Sequence, residues 1–182
     1  MAKVGVIYFS GTGTTARLAE SVIEGAKEAG ADVLDLPIQP SDISEGRWVN
    51  DEQAAQLDSC HAIIFGSPTY MGSVSGQLKS FFDAMAPRWF TQAWRDKLGA
   101  GFSASSLTSG DKSGAFIAMN TFAMQMGMLW VGTGVSFSDG LNPNGHYLGV
   151  GATASSPDQL TEIDLNTGKH LGKRVAGLAE KL

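Results

Sequence analysis

The chain has 182 residues, 43% hydrophobic and 17% charged, with a formal net charge of -5 at pH 7. That length and balance suit one domain, 1–182, able to bury its own core. The acidic surplus argues against nucleic acid, which rewards a basic face, and a lone cysteine excludes a disulfide framework or a multi-cysteine zinc site.

In chain order, Lys3–Phe9 reads as a strand and Thr14–Ala29 as a helix, with Leu18, Ala19, Val22, Ala26 and Ala29 along one side. Ala31–Leu36 is a second strand, ended by Pro37, and Pro37–Asn50 has no clear period and reads as loop. His61–Phe65 is a third strand, followed by "GSPTYMGSVSG" and a helix from about Ser75 to Met85. Gly99–Ser103 suggests a fourth strand, Ala115–Met126 a Met-rich helix and Leu129–Val135 a fifth strand. "SDGLNPNGHYLGVG" is turn chemistry. A last helix is signalled by Ser156 as N-cap, Pro157 at its first position and Gln159 three residues after the cap; it runs to about Leu182, weakened by Gly168, Gly172 and Gly177.

Strands that are continuously apolar and separated by helices indicate an α/β fold: a three-layer, doubly wound, five-stranded parallel sheet. In such sheets ligands bind at the carboxyl ends of the strands. Three loops rich in glycine and hydroxyls fall there: "SGTGTT", "SPTYMG" and "SASSLTSG". No signal peptide precedes the first strand, and no apolar stretch approaches the roughly 20 residues of a membrane helix. A cytoplasmic protein without a membrane partner is the expectation.

Gly11-Thr12-Gly13-Thr14-Thr15-Ala16 satisfies the letters of the dinucleotide fingerprint G-x-G-x-x-G/A, with Asp32 or Asp35 near the offset of its acidic residue. The loop lacks the Gly-Lys-Ser/Thr of a P-loop. It carries instead four hydroxyls, on Ser10, Thr12, Thr14 and Thr15, where a helix N-terminus offers free N–H groups. A terminal phosphate monoester presents three strong acceptor oxygens, which such a nest satisfies. Helix capping alone would use one hydroxyl, not four. The polar density and short chain favour a mononucleotide over a dinucleotide.

"SGTGTT" resembles the phosphate loop of flavodoxin-like FMN proteins, and "FGSPTYMGSVSGQLKSFFD", "RWFTQAWRDKLGAGFSAS" and "VAGLAEKL" resemble the WrbA-type NAD(P)H:quinone oxidoreductases. The resemblance covers nearly the whole chain and is weakest over residues 37–58 and 105–150. It implies a flavodoxin-like fold in which Ser10, Gly11, Thr12, Gly13, Thr14 and Thr15 hold the phosphate of FMN. Pro68, Thr69, Tyr70, Met71 and Gly72 would line the ring edge. Ser103, Ala104, Ser105, Ser106, Leu107, Thr108, Ser109 and Gly110 would close the other side, with Trp89 as the candidate on the substrate face. The implied activity is two-electron, ping-pong reduction of a quinone or similar small acceptor by NAD(P)H, with no protein nucleophile and no metal. A dimer or tetramer is implied, with residues 81–94 as a contact surface. A single-electron carrier and an NAD(P)H-dependent FMN reductase are the alternatives. Three positions depart from the family. "SSLTSGDKSG" is poorer in glycine than the usual loop and adds Asp111 and Lys112. Thr12 stands where an aromatic residue is frequent, and Met126 where a histidine is.

Other candidates have plainer readings. Cys60 is expected to be a half-buried structural thiol, since His61 beside it points to the other strand face. Tyr70, Trp89, Trp94 and Met126 are candidates for an apolar slot over the ring. His146 and Tyr147 lie in a loop where a lid would sit. His170 is expected on the surface, and Met119, Met124, Met126 and Met128 are expected to fill core rather than bind metal.

Overall fold

Apolar runs that cannot face water on either side pair with one another and are covered by helices. In the computed structural model, which describes residues 1–182 apart from the Phe137 side chain, they form the following order. The chain runs β1 (Lys3–Tyr8), α1 (Thr14–Glu28), β2 (Asp32–Pro37), a small hairpin of β3 (Ile43–Ser44) and β4 (Arg47–Trp48), and α2 (Asp51–Asp58). Then come β5 (Ala62–Tyr70), β6 (Ser73–Val74), α3 (Gly76–Ala84), α4 (Ala86–Thr91), β7 (Leu98–Ser105) and α5 (Lys112–Gln125). The chain closes with β8 (Leu129–Trp130), β9 (Val150–Thr153) and α6 (Glu162–Ala179).

The main sheet is parallel, ordered β2-β1-β5-β7, with β8 and β9 both on the outer edge of β7. Five strand positions in a 2-1-3-4-5 order make it flavodoxin-like rather than the six-strand dinucleotide order. Successive residues of β5 feed opposite faces: Ala62 and Ile64 pack with α1 and α6, while Ile63 and Phe65 pack with α3 and α5. Three layers result.

α1 and α6 meet backbone to backbone. A side chain at Gly25 would run into the Lys169 carbonyl, one at Gly172 into the Val22 carbonyl and one at Gly168 into the Ser21 hydroxyl. Two of the glycines that weaken α6 as a helix, Gly168 and Gly172, are therefore what seat it against α1; Gly177 faces open space.

The fifth strand differs from the sequence reading. Only Leu129 and Trp130 of the run to Val135 pair as a strand with β7, opposite Leu98 and Gly99. The chain then leaves the sheet, and Val150–Thr153 completes the same edge opposite Phe102–Ser105. The last helix also starts later. Ser156 and Pro157 open a single 3-10 turn, Pro157–Gln159, and α6 is capped by Thr161, whose hydroxyl accepts from Asp164 N while the Asp164 carboxylate accepts from Thr161 N. Pro37–Asn50 contains the β3–β4 hairpin, and α2 follows from an Asn50 cap that accepts from Gln53 N. Trp94 is fully buried in the core, stacked on Phe81, with its ring nitrogen on Asp58.

Candidate functional site

The cradle begins where β1 ends. Ser10 Oγ accepts from Ala16 N at 3.1 Å, folding the loop back over the start of α1. Gly13, at φ +91, makes the left-handed turn into the helix. None of the N–H groups of residues 11–15 finds an acceptor in the described protein. No acidic side chain occupies the first turn of α1, so the helix dipole there is uncompensated. Thr12 and Thr14 hydroxyls lie 3.4 Å apart at the same point. Free N–H groups and alcohols converging on a helix N-terminus form a neutral anion cradle.

The second loop is a hairpin. β5 turns through Met71 (φ 46) and Gly72 (φ 74) and returns antiparallel as β6, with Tyr70 opposite Ser73. Two positive-φ residues in succession are the signature of a type I′ connection, and Met71 projects fully into solvent. Behind it, Ser67 Oγ accepts from Ser75 N at 2.8 Å, and Ser75 caps α3 through Leu78 N. The Tyr70 hydroxyl occupies the space a side chain at residue 11 would take, and the Gly72 carbonyl abuts Gly114 in the first turn of α5. The hairpin is thus keyed to the first loop and to the start of α5.

The third loop, residues 105–110, is curled around a buried ammonium. Lys112 is fully buried, and Nζ donates to Ser105 Oγ at 2.8 Å, Leu107 O at 3.0 Å and Thr108 O at 2.8 Å, with Thr153 Oγ1 at 3.4 Å. Burial pushes its pKa down, and Asp164 acts in the opposite sense without forming an ion pair. Ser106–Ser109 are exposed. Ser103 and Ala104, expected at the ligand, are instead buried strand residues, and the Ser103 hydroxyl is spent on Ser67 O and Thr69 Oγ1.

Ser10–Thr15, Thr69–Gly72 and Ser105–Gly110 therefore come together at the carboxyl ends of β1, β5 and β7; Pro68, expected with them, is a buried strand residue paired with Ala104. Trp89 does not join them. It lies in α4, beyond the last turn of α3, half-exposed at a groove of about 530 Å³ shared with Phe82, Met85, Phe122 and Met126. Met126 is at that groove too, at the opposite end of α5 from the cradle. Met119, Met126 and Met128 fill core, and Met124 is exposed.

The remaining polar candidates are structural in geometry. Cys60 is buried, and burial pushes its thiol up to about 11; His61 faces away, its Nδ1 accepting from Lys3 N at 3.0 Å. His146 is not on a loose lid: its ring packs on Phe116 with centroids 5.5 Å apart, and its buried Nε2 has no partner. Burial, then the Lys112 charge, holds its pKa below the ordinary histidine value. His170 is half-buried, and its Nε2 lies 2.9 Å from Thr133 O, tying α6 to the segment between β8 and β9. No group of three or more His, Cys, Asp or Glu able to hold a metal occurs among the described residues, and no helix is long and apolar enough to cross a membrane.

Sequence reasoning missed the work of Lys112 and Thr153. The signal was hidden because the sequence reading starts this helix at Ala115; with the observed start, a lysine as first residue sits at the wrong end of the dipole, which calls for a specific reason.

A flavodoxin-like sheet with an anion cradle at its first turn defines a class of flavin mononucleotide proteins. The family model described as NADPH-dependent FMN reductase matches residues 2–142, and the chain belongs to that family. It is 37% identical to the protein named Flavodoxin FldP of Pseudomonas aeruginosa, over 100% of this chain and 99% of that one. It is 35% identical to an NAD(P)H dehydrogenase (quinone) of Archaeoglobus fulgidus, over the full length of both. Among solved structures, a flavodoxin, WrbA-like protein from Agrobacterium tumefaciens superimposes with a TM-score of 0.80 at 36% identity, covering 100% of this chain and 99% of that one.

Proposed function

We propose that the protein is an FMN-dependent NAD(P)H:quinone oxidoreductase, a single 1–182 domain that reduces quinones or similar small acceptors by two electrons in a ping-pong cycle. The observation that carries the reading is the cradle at residues 10–15, where five consecutive N–H groups lack acceptors and four residues bring hydroxyls.

These features fit the monophosphate of FMN, whose charge the N–H groups and the hydroxyls of Ser10, Thr12, Thr14 and Thr15 would satisfy. Bound FMN supplies the redox chemistry. The chain's own residues bind and orient it. The Thr69–Gly72 hairpin would wall one edge of the ring, held in place by the Ser67–Ser75 and Thr69–Ser103 hydrogen bonds. Residues 105–110 would wall the other, presenting backbone donors. The flat, half-exposed Tyr70 beside Gly11 suits the stacking of a nicotinamide or quinone in turn.

A homo-oligomer belongs to the same reading. Exposed Trp89 and Phe90 beside the apolar groove are suited to contact between copies, which would bring Trp89 to a site. Cytoplasmic residence fits a donor that is a cellular nicotinamide.

The test is steady-state oxidation of NADH and NADPH by the FMN-loaded protein with benzoquinone. Rapid turnover supports the oxidoreductase; the 37% identity to a protein named flavodoxin favours the second reading, a single-electron carrier, which predicts a stable radical on anaerobic titration without turnover. An FMN reductase would instead release reduced FMN into solution.

A further inference from the structure

Lys112 is the largest charged side chain buried in the molecule, yet it pairs with no carboxylate. Its position opposes the dipole of its own helix. A lysine held against both penalties must be stabilised by what it touches. Its three short partners, Ser105 Oγ, Leu107 O and Thr108 O, match the three N–H bonds of a charged ammonium, whereas a neutral amine has two.

Two of those partners are successive backbone carbonyls. No cis peptide occurs among the described residues, and in a trans peptide the N–H points opposite to the C=O. With the Leu107 and Thr108 carbonyls turned in to Nζ, the N–H groups of Thr108 and Ser109 are turned out. Neither finds an acceptor in the described protein, and both residues are exposed. Drawing their carbonyl electrons toward a cation also makes these N–H groups better donors.

We propose that Lys112 is a positioning residue for the flavin: it turns the 107–108 and 108–109 peptides so that their N–H groups face the bound ring, and its charge makes the site prefer reduced over oxidised FMN. This rests on the FMN reading above. Reduced flavin, once its N1 proton is lost, carries negative charge over N1 and the neighbouring carbonyl, the kind of charge that preorganised N–H donors favour. Asp164, buried beneath the same region, opposes the effect in part and remains when Lys112 is removed.

The test compares wild type with Lys112→Gln, which keeps donors without charge, and Lys112→Met, which keeps neither. Affinity for oxidised FMN is read from flavin fluorescence, the two-electron midpoint from equilibration with a reference dye, and integrity of the FMN-free proteins from circular dichroism melts. Lys112→Gln should hold oxidised FMN within about threefold of wild type and lose at least tenfold more affinity for reduced than for oxidised FMN, lowering the midpoint by about 30 mV or more. Lys112→Met should lose affinity for both. An unchanged midpoint in Lys112→Gln, meaning equal losses for the two redox states, overturns the proposal. Should neither variant fold, wild type decides, below the pH at which free reduced FMN gives up its N1 proton. Uptake of one proton per two electrons there supports the proposal, and uptake of two overturns it. A wild-type protein that fails to bind FMN overturns both this and the reading it rests on; binding with an unchanged midpoint in the variant overturns this one alone.

Discussion

Gly114 is the point at which the Tyr70–Gly72 hairpin meets the first turn of α5, and replacing it with alanine should separate them. In an ordinary helix the change would stabilise by up to about 1 kcal/mol. Here the new Cβ falls inside the van der Waals shell of the Gly72 carbonyl oxygen, a main-chain atom at the tip of a two-residue hairpin with no rotamer to move. The hairpin would have to retreat by on the order of 1 Å, and overpacking of that kind costs about 1–3 kcal/mol. With the helix gain subtracted, the FMN-free protein should lose about 1–2 kcal/mol, or about 3–6 °C in melting temperature for a chain of this size. FMN affinity should fall about tenfold or more if, as proposed, the same hairpin lines the ring. Gly177→Ala is the matched control: in the same fold, nothing lies within 4 Å of its Cβ, so it should raise the melting temperature slightly and leave FMN binding alone. Differential scanning calorimetry and fluorescence titration measure both. A Gly114→Ala protein that melts at or above wild type and binds FMN equally refutes the keyed-loop argument.

Three other outcomes are expected. Thr12→Ala combined with Thr15→Ala should weaken FMN retention at least about a hundredfold, since each hydroxyl bond to a charged phosphate is worth roughly 1.5–3 kcal/mol; the FMN-free domain should still fold, as judged by circular dichroism. Cys60, its thiol pushed up to about 11 by burial, should react with a maleimide at pH 8 about a hundredfold more slowly than a free thiol and at full rate in denaturant; equal rates in both would show it accessible. His146 should make the fold acid-sensitive. Its folded pKa lies below the ordinary value, so the unfolded chain takes up the proton first as pH falls below about 6.5. The stabilisation is complete above that pH and is lost toward the lowered folded value. Urea midpoints measured across this range should fall in wild type and flatten in His146→Leu.

The turn into a helix N-terminus at residues 10–15 was legible because it is local. Ser10, Gly13 and Thr14 turn, free their N–H groups and start a helix within a few residues, so the pattern survives reading in one dimension. The alternation of apolar strands and helices was legible for the same reason; the extension of β5 to Tyr70 and its hairpin with β6 were not, and that stretch reads in sequence only as a loop. The split fifth strand was not. Leu129–Val135 is apolar enough to be a whole strand, but its last ladder bond is Val131 N to Gly99 O and Val135 is buried beyond the sheet's pairing, while Val150–Thr153 is too short and glycine-flanked to signal one. The start of α6 was misplaced because Ser156-Pro157 is a real turn signal that belongs to a 3-10 turn; Thr161-x-x-Asp164 carried the true cap. Trp89 was placed by resemblance, and within one chain α3 carries it to the far end of the sheet from the cradle. Lys112 needs Thr153, 41 residues later, and two carbonyls whose direction no sequence states. Ser103 looked available because its hydroxyl's partners, Ser67 and Thr69, lie on a neighbouring strand.

The meeting of α1 and α6 across Gly25, Gly168 and Gly172 reaches further than packing. At Gly25 and Gly172 the nearest atoms across the seam are main-chain carbonyls, which every amino acid carries. At those two points the approach of the rods is limited by the polymer itself rather than by the sizes of side groups. Since α1 begins at residues 13–14, beside the candidate cradle, exchanging either hydrogen for carbon would shift that end of α1 as well as the seam.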